Sequence, residues 1–342
     1  MPKERILYFD ILKGVAILLV IWGHSVLIYP INFMSEGSIW KYIRDIIYSF
    51  HMPLFFIISG WTYAISKNKK IIPYKTYFFS KIKYIFLPYL VFSILYIFAE
   101  IVGLHFSLIN PEGVQPGGII FKIINTFLWI ETTHYWFLYV LFSIFIVVPL
   151  FDFIFIAKYV RYLFFGALII LNHFALGIDN NLFLWKTFIF YLVFFYIGVS
   201  FFPVIEKIRR FKSKHIFMYP FLMVLLLSRP NENLFITHNI IIKMFIAILG
   251  ILFMVSLVYY IKEDSFIGKF LSFCGIYSLQ YYLFSDFIFV VYRLLLVNTI
   301  DIIGGWINII IFLSTVFTNY LICRYLLSKV YLLKLISGAK FK

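Results

Sequence analysis

The sequence predicts an all-α bundle that crosses a membrane about ten times, with both termini cytoplasmic. Three observations lead there. Of 342 residues, 63% are hydrophobic, 23% aromatic and only 13% charged, with a mean hydropathy of +0.97. No ordinary soluble domain has that composition. The chain also divides into apolar segments near the ~20 residues that a helix needs to cross a hydrocarbon layer of about 30 Å. Finally, the basic residues gather in alternate connections, as the positive-inside rule requires.

Ten segments qualify in chain order: 11–29, 46–65, 84–104, 134–153, 162–178, 185–203, 216–229, 239–260, 271–296 and 306–327. With the N-terminus inside, the cytoplasmic face receives Lys3, Arg5 and Lys13, the lysines from Lys67 to Lys83, and Lys158 with Arg161. It also receives the run from Lys207 to Lys214, Lys262 with Lys269, and the run from Arg324 to Lys342. Lys41, Arg44, Lys122, Lys186, Arg229, Lys243 and Arg293 fall on the outer side. Because the basic residues sit between apolar spans, the net charge of +15 reads as a topological marker and not as a nucleic-acid surface. The segment 119–131 carries Lys122 and Asn125 and is expected to lie in the outer interface.

Lys13 and His24 interrupt the first span, which has no small-x-small cleavage site after it, so a retained helix is expected in place of a signal peptide. Cys274 and Cys323 both lie in spans and offer neither a disulfide framework nor a metal-ligand spacing. No connection is long enough to hold a soluble domain, so residues 1–342 read as one membrane domain.

Ionisable groups inside a membrane helix cost several kcal/mol unless they line a wet cavity or a ligand path. Lys13 and His24 stand eleven positions apart, about three turns, which puts both on one face roughly 16 Å apart along the axis. They cannot touch, but a long ligand would bridge them. His51 lies about as deep in the second span as His24 lies in the first, so the two imidazoles should share one level near the outer surface. Pro53 follows it, and Ser59 and Gly60 leave room for close helix contact or a slender ligand. Asp10 reads either as orienting Lys13 across an i, i+3 pair or as an ordinary polar residue at the start of a helix. Asp286 with Arg293 on one face of the ninth span reads equally as part of an acceptor path or as paired helix-stabilising charges, and Glu131, His134 and Trp136 at the outer side as an aromatic platform suited to a sugar or as an ordinary interfacial belt.

These residues resemble the acyltransferase 3 family of integral-membrane acyltransferases, which O-acylate sugars of surface glycans. In that family the first helix opens with Arg or Lys, then ten residues, then His; Lys13 and His24 fit, with Asp10-Ile11-Leu12 as lead-in. Phe50-His51-Met52-Pro53 through Ser59-Gly60 is similar to the second-helix signature. Lys81 to Pro88-Tyr89, Trp136-Phe137-Leu138, Phe195-Tyr196-Ile197-Gly198, and Gly275 to Tyr282-Leu283 resemble further landmarks in the expected order. A histidine that commonly follows the last of these is absent; Ser285 and Asp286 stand there.

The resemblance implies an acyl-CoA donor, most simply acetyl-CoA, and a cell-surface or lipid-linked saccharide acceptor, in the cell (plasma or inner) membrane. On that reading Lys13, Lys81 and Lys83 meet the donor's phosphates, and the pantetheine arm threads past Ser59 and Gly60. His24 is the general base, and His51 stabilises the oxyanion or binds the acceptor. Glu131, Trp136 and Asp286 are the acceptor-side candidates. No metal is implied. A transporter or flippase for a lipid-linked glycan is the alternative, though the related halves and broken helices typical of such proteins are not detectable in the sequence.

Overall fold

The computed structural model describes residues 3–26, 38–69, 73–105, 120, 124, 135–155, 158–175, 183–200, 214–228, 234–235, 239–300 and 306–339. All regular structure among them is helical. In chain order the helices are α1 (Lys3–Ser25), α2 (Ile39–Lys69), α3 (Tyr74–Lys81), α4 (Leu87–His105), α5 (Trp136–Val147), α6 (Lys158–Ala175) and α7 (Phe183–Ser200). There follow α8 (Tyr219–Leu227), α9 (Ile240–Tyr259), α10 (Phe266–Ile276), α11 (Ser278–Ile300), α12 (Trp306–Leu321) and α13 (Tyr331–Ile336).

Each of the ten predicted segments contains a helix, but fewer meet both length and apolarity. Among the described residues four do so: Leu7–Ser25, Tyr74–Gly103, Ile240–Tyr259 and Ile307–Lys329; a fifth is added if the bent pair of α10 and α11 is one crossing. The rest fall short for visible reasons. Helix α5 has 12 residues and α8 has 9, and the middle of α2 is diluted by His51, Pro53, Ser59 and Gly60. The chain is thus a helical membrane protein whose apolar side chains, such as Leu226 and Phe266, face outward from the packed interior. The predicted interfacial segment 119–131 lies largely outside the described residues.

Two local departures have physical causes. The segment read as one straight span, 271–296, is broken: Tyr277 adopts φ −101°, ψ 19° and the helices on either side meet at 82°. Pro88, which lacks an N–H, cannot complete the ladder behind it, and the chain accommodates it with a π-helical turn at Ile82–Phe86 between α3 and α4. Pro53, by contrast, is carried inside a continuous α2.

The chain forms two compact units, each discontinuous in sequence. The first holds residues 1–69 and 194–323. Helix α1 is its axis, packed against α2, α9, α10, α11 and α12, with Leu12, Ala16 and Ile21 wholly buried. Contact with α10 is backbone to backbone: a Cβ on Gly14 would strike the carbonyl of Leu271, and one on Gly275 the carbonyl of Asp10. Small residues are how membrane helices approach so closely. Tyr8 donates to the carbonyl of Val255 at 2.8 Å, tying α1 to α9. Helix α9 begins where Asn239 accepts from the N–H groups of Ile241 and Ile242, and α10 where Ser265 accepts from Gly268.

The second unit holds residues 70–193 and 324–342. Its interior is aromatic: Phe86 stacks on Phe142 with centroids 4.7 Å apart, and Tyr89 lies 5.1 Å from Tyr139. The Tyr74 hydroxyl donates to the carbonyl of Ile146, and the Asn172 amide to the carbonyls of Leu168 and Ile189.

Candidate active site

The first unit carries a polar cluster where α1 ends beside the second to fourth turns of α2. Tyr48 is its hub. The Tyr48 ring lies 6.3 Å from the His24 ring and 4.7 Å from the His51 ring, so the two histidines flank one phenol. Above it sits Arg44, with its guanidinium carbon 4.1 Å from the Tyr48 centroid, a cation–π distance. Asp286, from α11, is close enough to act on Tyr48 electrostatically, and Arg44 acts likewise on His51.

The backbone explains this gathering. Residues 44, 48 and 51 follow one another at helical i, i+4, i+7 spacing and share a face of α2. On α1, Gly23 leaves the space that the edge of the Tyr48 ring occupies, one residue before His24. Gly23→Ala is therefore expected to push Tyr48 aside without unfolding the bundle, since the ring is the far end of a movable side chain. Turnover should fall on the order of ten- to a hundredfold, because small misplacements of positioned groups are expensive in rate, while the melting temperature barely changes. An unaltered rate would show that Tyr48 has no positioning role.

His51 is 2% exposed and its Nδ1 lies 2.8 Å from the carbonyl of Ile47. A carbonyl only accepts, so Nδ1 carries the proton, and in the neutral ring Nε2 is the acceptor. The partner is one turn back on the same helix, which fixes both tautomer and ring orientation. Pro53 plays no part in this: its missing N–H releases the carbonyl of Ser49, not that of Ile47.

Three turns before His24, near the middle of α1, Lys13 Nζ lies 3.4 Å from the Asp10 carboxylate, with side chains 29% and 14% exposed. The i, i+3 pair leaves ammonium protons available for a second anion. Ser59 is half-buried. At Gly60 the missing side chain is not open space, for a Cβ there would strike the carbonyl of Phe195, and Gly198 meets the carbonyl of Ile57 in return. The gap seals α2 against α7 on that face.

The remaining candidates are placed as follows. Lys81, Lys83 and Trp136 belong to the second unit. Lys81 Nζ sits 3.6 Å from the Phe145 centroid; Lys83 is exposed beside Tyr84; Trp136 stacks on Tyr191 with centroids 5.6 Å apart. Glu131, His134 and the side chain of Arg293 lie outside the described residues. Two members of the cluster, Arg44 and Tyr48, were missed by sequence reasoning. Their spacing to His51 was the available signal.

No solved structure matches the chain. Similarity to named proteins is partial: "Glucans biosynthesis protein C" of Escherichia coli (strain SMS-3-5 / SECEC) is 30% identical over 146 residues, and its counterpart in strain K12 is 29% identical over 146 residues. Each match covers 41% of this chain and 37% of the relative, so the chain aligns with little more than a third of those proteins. Far broader is the match to the family model described as "Acyltransferase domain" (acyltransferase 3), which covers residues 6–327 and so takes in Lys13 and His24 on α1, the whole of α2 and the helices packed around them. That coverage makes the chain a member of the acyltransferase 3 family of membrane acyltransferases.

Proposed function

We propose that the protein moves an acyl group, acetyl from acetyl-CoA in the simplest case, to a hydroxyl of a cell-surface or lipid-linked saccharide at the cell membrane. The observation that carries this reading is the cluster of His24, Tyr48 and His51 at one end of α1, with the Lys13 ammonium three turns back along the same helix. Lys13 holds a phosphate of the donor, with Asp10 orienting it. The thioester lies beside His24, about 16 Å further along the helix.

His24 takes the proton of the saccharide hydroxyl as its oxygen attacks the thioester carbonyl. The tetrahedral oxyanion is stabilised by the Arg44 guanidinium, whose Nε finds no hydrogen-bond partner among the described residues. Collapse breaks the carbon–sulfur bond, the coenzyme leaves as a thiolate that takes up the proton held by His24, and the saccharide keeps an ester. His51, with Nε2 as acceptor, orients the acceptor hydroxyl, and Asp286 binds a second hydroxyl beside it. The printed name of the Escherichia coli relatives, which concerns glucans, supports a polysaccharide acceptor.

Mass spectra of surface glycans from cells with and without this protein test the reading. A gain of one acyl mass per modified sugar, removed by mild alkali, is the expected outcome. Identical spectra would refute it.

A further inference from the structure

Helix α12 packs against α1 and α11 within the first unit and carries three polar side chains on one face. Asn308, Thr315 and Asn319 are all 0% exposed. Their spacings of seven and four place them within about 40° of one another around the helix, over an axial rise of roughly 16 Å. That rise equals the one separating Lys13 from His24 on the neighbouring helix.

The row is not satisfied internally. Asn319 donates through Nδ2 to the Ser285 hydroxyl at 3.1 Å and to the Thr315 carbonyl at 3.0 Å. Asn319 Oδ1, Thr315 Oγ1, and both Oδ1 and Nδ2 of Asn308 find no hydrogen-bond partner among the described residues. A buried polar atom left unpaired is costly, and more so where neighbouring lipid supplies no substitute. Leucine and valine would pack the same helix without that penalty. The unpaired atoms, donors and acceptors both, are spread along the helix axis, so their complement is a narrow chain with hydrogen-bonding groups at intervals.

Resting on the acyl-donor reading above, we infer that the Asn308–Thr315–Asn319 face of α12 lines the path of the donor's pantetheine arm and pairs with its amides and hydroxyl. The arm carries two secondary amides and one hydroxyl along its length, each able to meet a carboxamide or hydroxyl side chain. This face replaces the route past Gly60, where the backbone of α7 already fills the gap.

The test uses the purified full-length protein in detergent and two radiolabelled probes in equilibrium dialysis: coenzyme A, which has the arm, and adenosine 3′,5′-bisphosphate, which lacks it. Thr315→Val exchanges the hydroxyl for a methyl, and Asn308→Leu keeps the number and branching of the side-chain heavy atoms while removing both hydrogen-bonding groups. Each should weaken coenzyme A binding about tenfold, the loss of one buried hydrogen bond, leave the bisphosphate affinity unchanged, and in the first case be repaired by Thr315→Ser. Coenzyme A affinities within about twofold of wild type would overturn the inference and assign the row to water. A parallel loss for both probes would overturn it as a general packing defect. Wild-type protein that binds neither probe would bring down the acyl-donor reading itself, whereas wild-type binding with insensitive variants brings down only the role of α12.

Discussion

His24→Ala is expected to lower turnover by a factor of about 10² to 10⁴, the range over which a positioned general base contributes, with little change in donor affinity. The base acts only as the hydroxyl proton moves, so its loss raises the barrier without touching Lys13, three turns away along the helix. The ring borders Tyr48 at the end of α1 and is itself half-buried, so truncation leaves a gap that α1 tolerates. Steady-state kinetics on purified protein, with kcat separated from the KM for the donor, check this. A rate within about threefold of wild type would remove His24 from the chemistry, and a change confined to KM would make it a binding residue.

Gly275→Val is expected to have the largest effect on stability. The added carbons would have to occupy the position of the Asp10 carbonyl, and backbone cannot rotate away as a side chain can. Helices α1 and α10 must separate, which loosens the paired contact at Gly14 and Leu271 as well. A cost of roughly 3 kcal/mol or more follows for such overpacking. Thermal unfolding in detergent should register a fall of several degrees or failure to accumulate. Asp10 is also the residue that holds Lys13, so donor binding should weaken in any folded remainder. An unchanged melt would mean that α1 and α10 do not touch in this way.

The residues show which parts of this arrangement could be read in the sequence. The Asp10–Lys13 pair is local, set by i, i+3 geometry, and was legible. So was the shared level of His24 and His51, because helix rise converts residue number into depth. Tyr48 was not legible as their hub, since its position depends on the absent side chain of Gly23 on another helix. Arg44 was read only as an outer-side charge. Gly60 was compatible with a helix contact or a slender passage, and the contact is what stands there: composition reveals that space is left, but not what fills it. The bend at Tyr277 was hidden because the residues from Phe266 to Tyr292 are apolar enough throughout to pass as one span. The polar row of α12 escaped notice because single Asn and Thr residues in an apolar segment gain meaning only once burial shows that they are enclosed.

The central claim is that an acyl group passes from coenzyme A to a sugar hydroxyl beside His24. It is tested most directly by reconstituting the purified protein in vesicles with acetyl-CoA labelled in the acetyl group and a glucan acceptor. The account predicts alkali-labile label on the glucan with the wild type and a loss of about a hundredfold or more with His24→Ala. Absence of label with the wild type, or equal labelling by the two proteins, would contradict it.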